Sequence, residues 1–150
     1  MFLDLVEKSA LNRYLKKNKL KPRSGVKEII KYCKQQEIKL ALVSSTSKNN
    51  INSIFFCLRD SLNKKDFDFI GNSKLVKKPK PSAEIYKFAL KKLRLKPEEC
   101  IAIEDTQVSL NSAVKAKLKC FIFPGNFHRS KKFSGAFKEI SKINKNIFKS

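Results

Sequence analysis

Two adjacent carboxylates, Glu104 and Asp105, are the side chains best placed to do chemistry. They directly follow the apolar run Ile101–Ala102–Ile103, and Thr106 comes next. Such a run is typical of a buried parallel strand, and a hydroxyl after it is a common start of a helix. Ligands of open α/β sheets bind beside the carboxyl ends of strands, where carboxylates offer the oxygen ligands that Mg²⁺ prefers. An acidic turn that caps a helix explains the same residues equally well.

Three other polar side chains lie next to predicted strands or helices, where they could bind an anion. Ser44 and Ser45 come directly after the apolar run 38–43, where hydroxyls and free backbone N–H groups could bind a phosphate. A plain helix cap is the alternative for both serines. Lys78 lies in a loop that prolines stiffen, although alone it could be one more surface lysine. Together, a hydroxyl, an ammonium and two carboxylates suit a phosphate bound beside Mg²⁺.

The elements that must position these side chains alternate along the chain. Apolar spacing predicts helices at residues 4–17, 24–36, 48–58, 82–93 and 108–117, and a short helix around 133–140. Short apolar runs predict strands at residues 38–43, 67–70, 100–103 and 120–123. Strands that alternate with helices predict one α/β domain with a layered, parallel sheet.

Composition excludes several classes of protein. A chain of 150 residues with 41% hydrophobic residues is typical of one folded domain. No apolar run reaches membrane-spanning length, and Asp4 and Glu7 interrupt the beginning, so we expect neither a signal peptide nor a membrane partner. The four cysteines form no CxxC pair and the chain has one histidine, which argues against a zinc site. Reduced cysteines of this kind are typical of a cytoplasmic protein.

The net charge of +21 raises the question of nucleic-acid binding. The basic residues are mostly lysine and are spread through every segment, whereas specific base recognition relies on arginine. We therefore expect non-specific adhesion to nucleic acid at low salt and no specific nucleic-acid partner.

The ordered set of motifs resembles the haloacid-dehalogenase-like (HAD) phosphohydrolase superfamily. Its second, third and fourth motifs resemble Leu40–Ala41–Leu42–Val43–Ser44, Lys78–Pro79–Lys80–Pro81 with Ile85–Tyr86 beyond it, and Ile103–Glu104–Asp105. Within the superfamily the chain is most similar to the β-phosphoglucomutase and CbbY-type branch. Arg23–Ser24–Gly25–Val26 resembles that branch's return from its cap domain, and Phe133–Ser134–Gly135–Ala136 resembles its late signature.

The resemblance implies a Rossmann-like, three-layer core and a Mg²⁺-dependent phosphomonoester phosphatase that acts on small sugar phosphates. It implies that residues 20–150 form the core and residues 1–19 are a remnant of a helical cap. It also implies roles for particular side chains: phosphate binding by Ser44, Ser45 and Lys78, catalytic charge neutralisation by Lys78, metal binding by Asp105 with Glu104 beside it, and substrate contact by Lys48 and Asn49.

One motif of the family has no match. The first motif is a strand that ends in Asp-x-Asp, whose first Asp attacks phosphorus. Phe2–Leu3–Asp4 is a poor substitute, because Val6 stands where the second acid belongs. We therefore expect a carboxyl-terminal part of such an enzyme, without its first strand, most of its cap and its nucleophile, and inactive alone.

The missing strand would leave two apolar strand edges unpaired in the middle of the sheet. Either these edges close up, or a second chain supplies the strand, or the protein is barely stable. Two other functions stay open from the sequence: a non-catalytic module that binds phosphate or a partner, and one complementing half of a split enzyme.

Overall fold

A six-stranded parallel sheet, in the order β3-β2-β1-β4-β5-β6, organises the part of the chain that the structure describes. The structure is a computed structural model that describes residues 1–3, 20–125 and 132–149. The strands are β1 Phe2–Leu3, β2 Ala41–Val43, β3 Phe69–Gly71, β4 Ile101–Glu104, β5 Lys119–Ile122 and β6 Lys138–Glu139. The helices are α1 Val26–Gln35, α2 Lys48–Cys57, α3 Glu84–Leu93 and α4 Gln107–Lys115, with short 3₁₀ turns at Lys64–Asp66, Ser73–Leu75, Pro97–Glu99 and Lys145–Phe148.

Two helical layers cover the sheet. Along β2, Leu42 belongs to the apolar core beneath α1 and α2, and Val43 belongs to the core beneath α3. The same alternation along β4 and β5 assigns Ile103 and Phe121 to the first core and Cys120 to the second. Because successive strand side chains point to opposite faces, one sheet buries both helical layers. The predicted three-layer α/β fold is confirmed.

The middle of the sheet is occupied, which corrects the expectation of two unpaired strand edges. Phe2 is in register with Ala41 of β2 and with Ala102 of β4, and Leu3 is in register with Ile103. Both neighbours pair with β1 in parallel, so its backbone groups find partners on either side. The structure therefore gives no reason for a second chain to supply a central strand.

The same observation changes the interpretation of residues 1–19 as a cap remnant. Met1 is 4% exposed and packs in the core beneath α1 and α2, and its carbonyl accepts a hydrogen bond from Ala41 at 2.8 Å. Residues 1–3 thus belong to the core. The predicted helix at 4–17 and the remaining cap assignment lie outside the described residues.

Two local predictions were wrong. The helix predicted from residue 24, with Ser24 as its cap, begins at Val26, and its N-cap is Gly25, with φ +84° and no side-chain cap. The expected helix around 133–140 is an irregular segment that contains β6, because β5 offers it an edge: Phe121 and Ile122 are in register with Lys138 and Glu139. By contrast, Thr106 caps α4 as predicted, since its hydroxyl accepts a hydrogen bond from Ser109 N.

No helix in the described part of the chain is long and apolar enough to cross a membrane.

Candidate functional site at the ends of strands β2 and β4

Lys80 connects the ends of the two strands that flank β1. Its Nζ donates to Glu104 Oε1 at the end of β4, at 2.7 Å, and to the Val43 carbonyl at the end of β2, at 3.3 Å. The Lys80 and Glu104 side chains are 2% and 5% exposed. Because β1 lies between β2 and β4, Lys80 links the carboxyl ends of the two neighbours of β1.

The lysine in this position is not the one that the sequence suggested. Lys78 is exposed, and its backbone N–H donates to Glu84 Oε2 at 2.9 Å, as does that of Lys77 at 2.8 Å. These two bonds hold the loop against the first turn of α3, and the chain then carries Lys80 inward. The ammonium assigned to Lys78 at the strand ends therefore belongs to Lys80.

Two tandem Lys-Pro pairs explain the misassignment. Lys78–Pro79 and Lys80–Pro81 present the same residue types two positions apart, and stiffening by proline applies to both. The distinguishing feature is packing: Lys80 is six residues before Tyr86, a fully buried residue of α3 whose hydroxyl receives a hydrogen bond from Lys80 Nζ at 3.3 Å.

The two predicted acids lie together at the end of β4. Glu104 is 4% exposed and Asp105 is 2% exposed, which are low values for carboxylates. Glu104 also accepts a hydrogen bond from the Tyr86 hydroxyl. The sequence places Tyr86 beyond the third motif without a site role, and its contact with the acid is seen only in the structure.

The serines lie at the carboxyl end of β2, on the same edge of the sheet. Ser44 N donates to the Gly71 carbonyl at 3.2 Å, and Ser44 Oγ accepts from Thr46 N at 3.2 Å. A hydroxyl that accepts one bond keeps its own O–H to donate. Ser44 is half-buried and Ser45 is exposed, and their phosphate-binding roles stay predictions.

Lys48 and Asn49 form the first turn of α2, which begins just after this loop. Both side chains are exposed, and the N-cap of the helix is Ser47, whose hydroxyl accepts from Asn50 N at 3.2 Å. The two predicted substrate residues are thus at the correct edge of the sheet, and their contact with a substrate stays a prediction.

One Asp-x-Asp sequence does occur in the chain, Asp66–Phe67–Asp68, but it does not stand where the first motif belongs. It precedes β3 instead of following a strand. Asp68 Oδ2 accepts from Leu40 N at 2.7 Å, at the amino end of β2, and Asp66 pairs with Lys34 in the last turn of α1. The amino ends of parallel strands lie on the edge opposite Lys80, so these two acids take no part in the candidate site.

Two contacts fix the loops around the strand ends. Arg23 donates to the carbonyls of Phe123 and Pro124 at 2.6 and 2.8 Å, and its guanidinium lies 3.7 Å from the Phe123 ring centre. Gln107 donates to the Ser134 carbonyl at 2.9 Å and accepts from Ser134 N at 3.0 Å. The segments that resemble the return from the cap and the late signature are therefore held against the ends of β5 and α4.

The described donors do not by themselves fit a magnesium ion. Magnesium takes about six oxygen ligands in near-octahedral geometry. Among residues 1–3, 20–125 and 132–149, no group of three or more His, Cys, Asp or Glu side chains is placed to hold a metal. Glu104 Oε1 is already contacted by Lys80 and Tyr86.

A buried thiol near the acids is unsuited to nucleophilic attack. Cys120 is a residue of β5, is 1% exposed and packs in the core beneath α3. Burial raises the pKa of the Cys120 thiol, and the nearby Glu104 carboxylate raises it further. Because the thiolate is the reactive form, Cys120 stays inert at neutral pH.

These features define a class: a Rossmann-like, three-layer domain that gathers a lysine, two carboxylates and a serine-rich loop at the carboxyl edge of its sheet. The sequence model of the haloacid dehalogenase-like hydrolases matches residues 4–123. The chain belongs to that family, and its relatives place it in the CbbY and β-phosphoglucomutase-type branch.

Two curated relatives illustrate the similarity. Protein CbbY of Cereibacter sphaeroides is 33% identical over 114 residues, which cover 76% of this chain and 50% of the relative. A phosphorylated carbohydrates phosphatase of Thermotoga maritima is 33% identical over 100 residues, which cover 67% of this chain and 45% of that protein. The chain thus spans about half the length of the curated relatives it matches.

Solved structures agree. CbbY from Rhodobacter sphaeroides, crystallised with phosphate and, as a variant, with xylulose-(1,5)bisphosphate, has a TM-score of 0.79 and 28% identity over 90% of this chain and 61% of that one. A β-phosphoglucomutase from Clostridium difficile has a TM-score of 0.68 and 27% identity over 84% of this chain and 54% of that one.

Proposed function

We propose that this chain binds inorganic phosphate and small sugar phosphates at the carboxyl ends of β2 and β4, and that alone it does not hydrolyse them. The observation that carries the proposal is Lys80, whose buried ammonium joins the ends of β2 and β4 beside Ser44. The three N–H donors of Lys80 are taken by protein acceptors, so Lys80 favours an anion through its charge, while the Ser44 hydroxyl keeps an O–H to donate.

Relatives that bind or act on phosphorylated sugars support the choice of ligand. The CbbY structures hold phosphate and a sugar bisphosphate, and the Thermotoga maritima relative is named for its phosphorylated carbohydrates. The exposed Lys48 and Asn49, at the same edge of the sheet, would meet the sugar part of such a ligand.

We infer that the chain alone is inactive because the acids and the thiol that could attack phosphorus are unsuited to the reaction. Glu104 is held in a buried ion pair, Cys120 is a buried thiol of raised pKa, and Asp66 and Asp68 lie at the opposite edge. Asp4 directly follows β1 in the sequence but has Val6 in place of a second acid to protonate the leaving group. Mg²⁺ stays an expectation from the resemblance.

Calorimetric titration with inorganic phosphate tests binding. We expect a dissociation constant in the micromolar-to-millimolar range for the wild-type chain. Lys80→Ala would leave Glu104 charged and buried, at a cost of about 3–5 kcal/mol. The sharper variant is therefore the neutral pair Lys80→Met with Glu104→Gln, which keeps the volume and should abolish binding.

Lys78→Met is the matched control, since it removes an exposed lysine two residues away and should leave the affinity unchanged. An equal loss of phosphate affinity in both variants would show that binding depends only on the general positive charge of the chain.

A phosphomonoester assay, run with Mg²⁺ and with EDTA, tests whether the chain alone is inactive. Turnover by the wild-type chain that disappears in Asp105→Ala would overturn that part of the proposal.

A further inference from the structure

The hydroxyl of Tyr86 lies at the centre of the buried contacts that hold Lys80. It donates to Glu104 Oε1 and accepts from Lys80 Nζ at 3.3 Å, while the Lys80 ammonium lies 4.9 Å from the ring centre. Tyr86 is fully buried and comes from α3, whereas Glu104 ends β4. The phenol therefore connects a helix of the second layer to both members of the ion pair.

The Lys80 ammonium has three N–H donors, and three acceptors surround it: the Val43 carbonyl, Tyr86 Oη and Glu104 Oε1. Its position is therefore defined by three elements, β2, α3 and β4. Without the phenol oxygen, the acceptor on the α3 side is lost, and the long lysine side chain regains rotamer freedom.

We propose that Tyr86 is a positioning residue, whose hydroxyl fixes the Lys80–Glu104 pair so that the strand ends are preorganised for phosphate. The inference rests on the proposed function, because it concerns the same binding edge. Tyr86 is uncharged and its hydroxyl is engaged by Glu104 and Lys80, so it acts on the ligand only through the ion pair. Its contribution is to keep one ammonium in one place before the anion arrives, which lowers the ordering cost of binding.

Tyr86→Phe removes the hydroxyl and keeps the ring in its packed site, and the ion pair remains. We expect phosphate affinity in calorimetry to fall about five-fold, because the Lys80 ammonium loses its acceptor on the α3 side. Tyr32→Phe is the matched control. Tyr32 stacks on Phe148 with 5.7 Å between ring centres, on the face of the sheet that carries α1, and its loss of a hydroxyl should leave phosphate affinity unchanged.

A second readout separates positioning from packing. The side-chain ¹H–¹⁵N signal of a buried, hydrogen-bonded lysine ammonium is observable by NMR, and Lys80 is identified by the signal missing from the Lys80→Met, Glu104→Gln protein. We expect this signal to shift or broaden in Tyr86→Phe and to be unchanged in Tyr32→Phe. A general loss of packing would instead lower the melting temperature and disturb signals throughout the core.

The outcomes are distinct. Weaker phosphate binding with a changed Lys80 signal supports the inference, and an unchanged signal or unchanged affinity in Tyr86→Phe overturns it. If the wild-type chain binds no phosphate, the proposed function fails. The Lys80 signal then still decides whether Tyr86 positions the pair.

Discussion

The Asp66 carboxylate shows how one side chain joins separate segments of the fold. Its Oδ1 accepts from Lys34 Nζ at 2.6 Å, and its Oδ2 accepts from Asn63 N at 2.9 Å. Partial burial on its own would raise the pKa of Asp66, but the hydrogen bonds from Lys34 and Asn63 outweigh burial and place the pKa below the ordinary 3.8. Asp66 therefore stabilises the native state in its ionised form.

We expect Asp66→Asn to lower the free energy of unfolding at pH 7 by about 1 kcal/mol. Because the folded pKa is lowered, the contribution is complete above the unfolded pKa and is lost as pH falls through the folded value, below 3.8. Urea unfolding of both proteins at pH 7, 5 and 3 measures the difference. Asp60→Asn, at an exposed acid nearby, is the control; an equal loss there, or a difference that does not change with pH, would contradict the assignment.

Single residues also mark the limit of reading this site from sequence. Glu104, Asp105 and Ser44 could be placed at strand ends because each follows an apolar run, and the structure brings them to one edge. Lys80 could not be separated from Lys78, because both precede a proline and the difference is made by Glu84, which binds the backbone of residues 77 and 78. The interaction that selects the lysine is tertiary.

At the scale of elements, Gly25 controls how the chain enters α1. Its φ is +84°, and a Cβ at this position would overlap the Ile143 carbonyl. Gly135 has nearly the same φ, +85°, but its Cβ would meet nothing within 4 Å. The two glycines thus share one backbone conformation and differ only in their surroundings.

This pair allows the steric part of a substitution to be isolated. We expect Gly135→Ala to cost about 1 kcal/mol, the ordinary price of a left-handed conformation, and Gly25→Ala to cost about 3 kcal/mol or more. Chemical denaturation of the two variants gives both values. Similar losses would mean that the tail around Ile143 moves away from α1 without cost.

The length of a strand decides whether a sequence pattern can identify it. The strands β2 to β5 overlap the apolar runs that predicted them, even though the hydrogen-bonded parts are only three or four residues long. The two-residue strands β1 and β6 carry no measurable period. Their conformation is set by the edges of β2, β4 and β5, so a local pattern could not predict them.

At the scale of the whole molecule, the alternation of strands and helices was enough to predict the layered architecture. The positive charge, in contrast, is not concentrated on one face of the fold. Lys27 and Lys31 are exposed on α1, and Lys87 and Lys91 are exposed on α3, so both helical layers carry positive charge. Lysines spread over both faces repel one another across the whole molecule and do not form a single binding patch. The absence of a specific nucleic-acid partner stays a prediction.

The same distribution predicts how stability depends on salt. With a net charge of +21, self-repulsion destabilises the compact state, and salt screens it as the Debye length falls from about 30 Å at 0.01 M to about 8 Å at 0.15 M. We expect the melting temperature, followed by circular dichroism, to rise by about 3–5 °C over this range. A melting temperature that is flat or falls with NaCl would contradict the argument.

A charge-reversed variant separates this general repulsion from local effects. Lys27→Glu with Lys31→Glu lowers the net charge from +21 to +17, since each of the two changes removes one positive and adds one negative charge. The two positions are four apart on α1, so the variant keeps a like-charged i,i+4 pair and its local repulsion. We therefore expect a smaller rise of melting temperature with salt than in the wild-type chain. An equal rise would place the salt dependence in local pairs instead of in the summed field of the molecule.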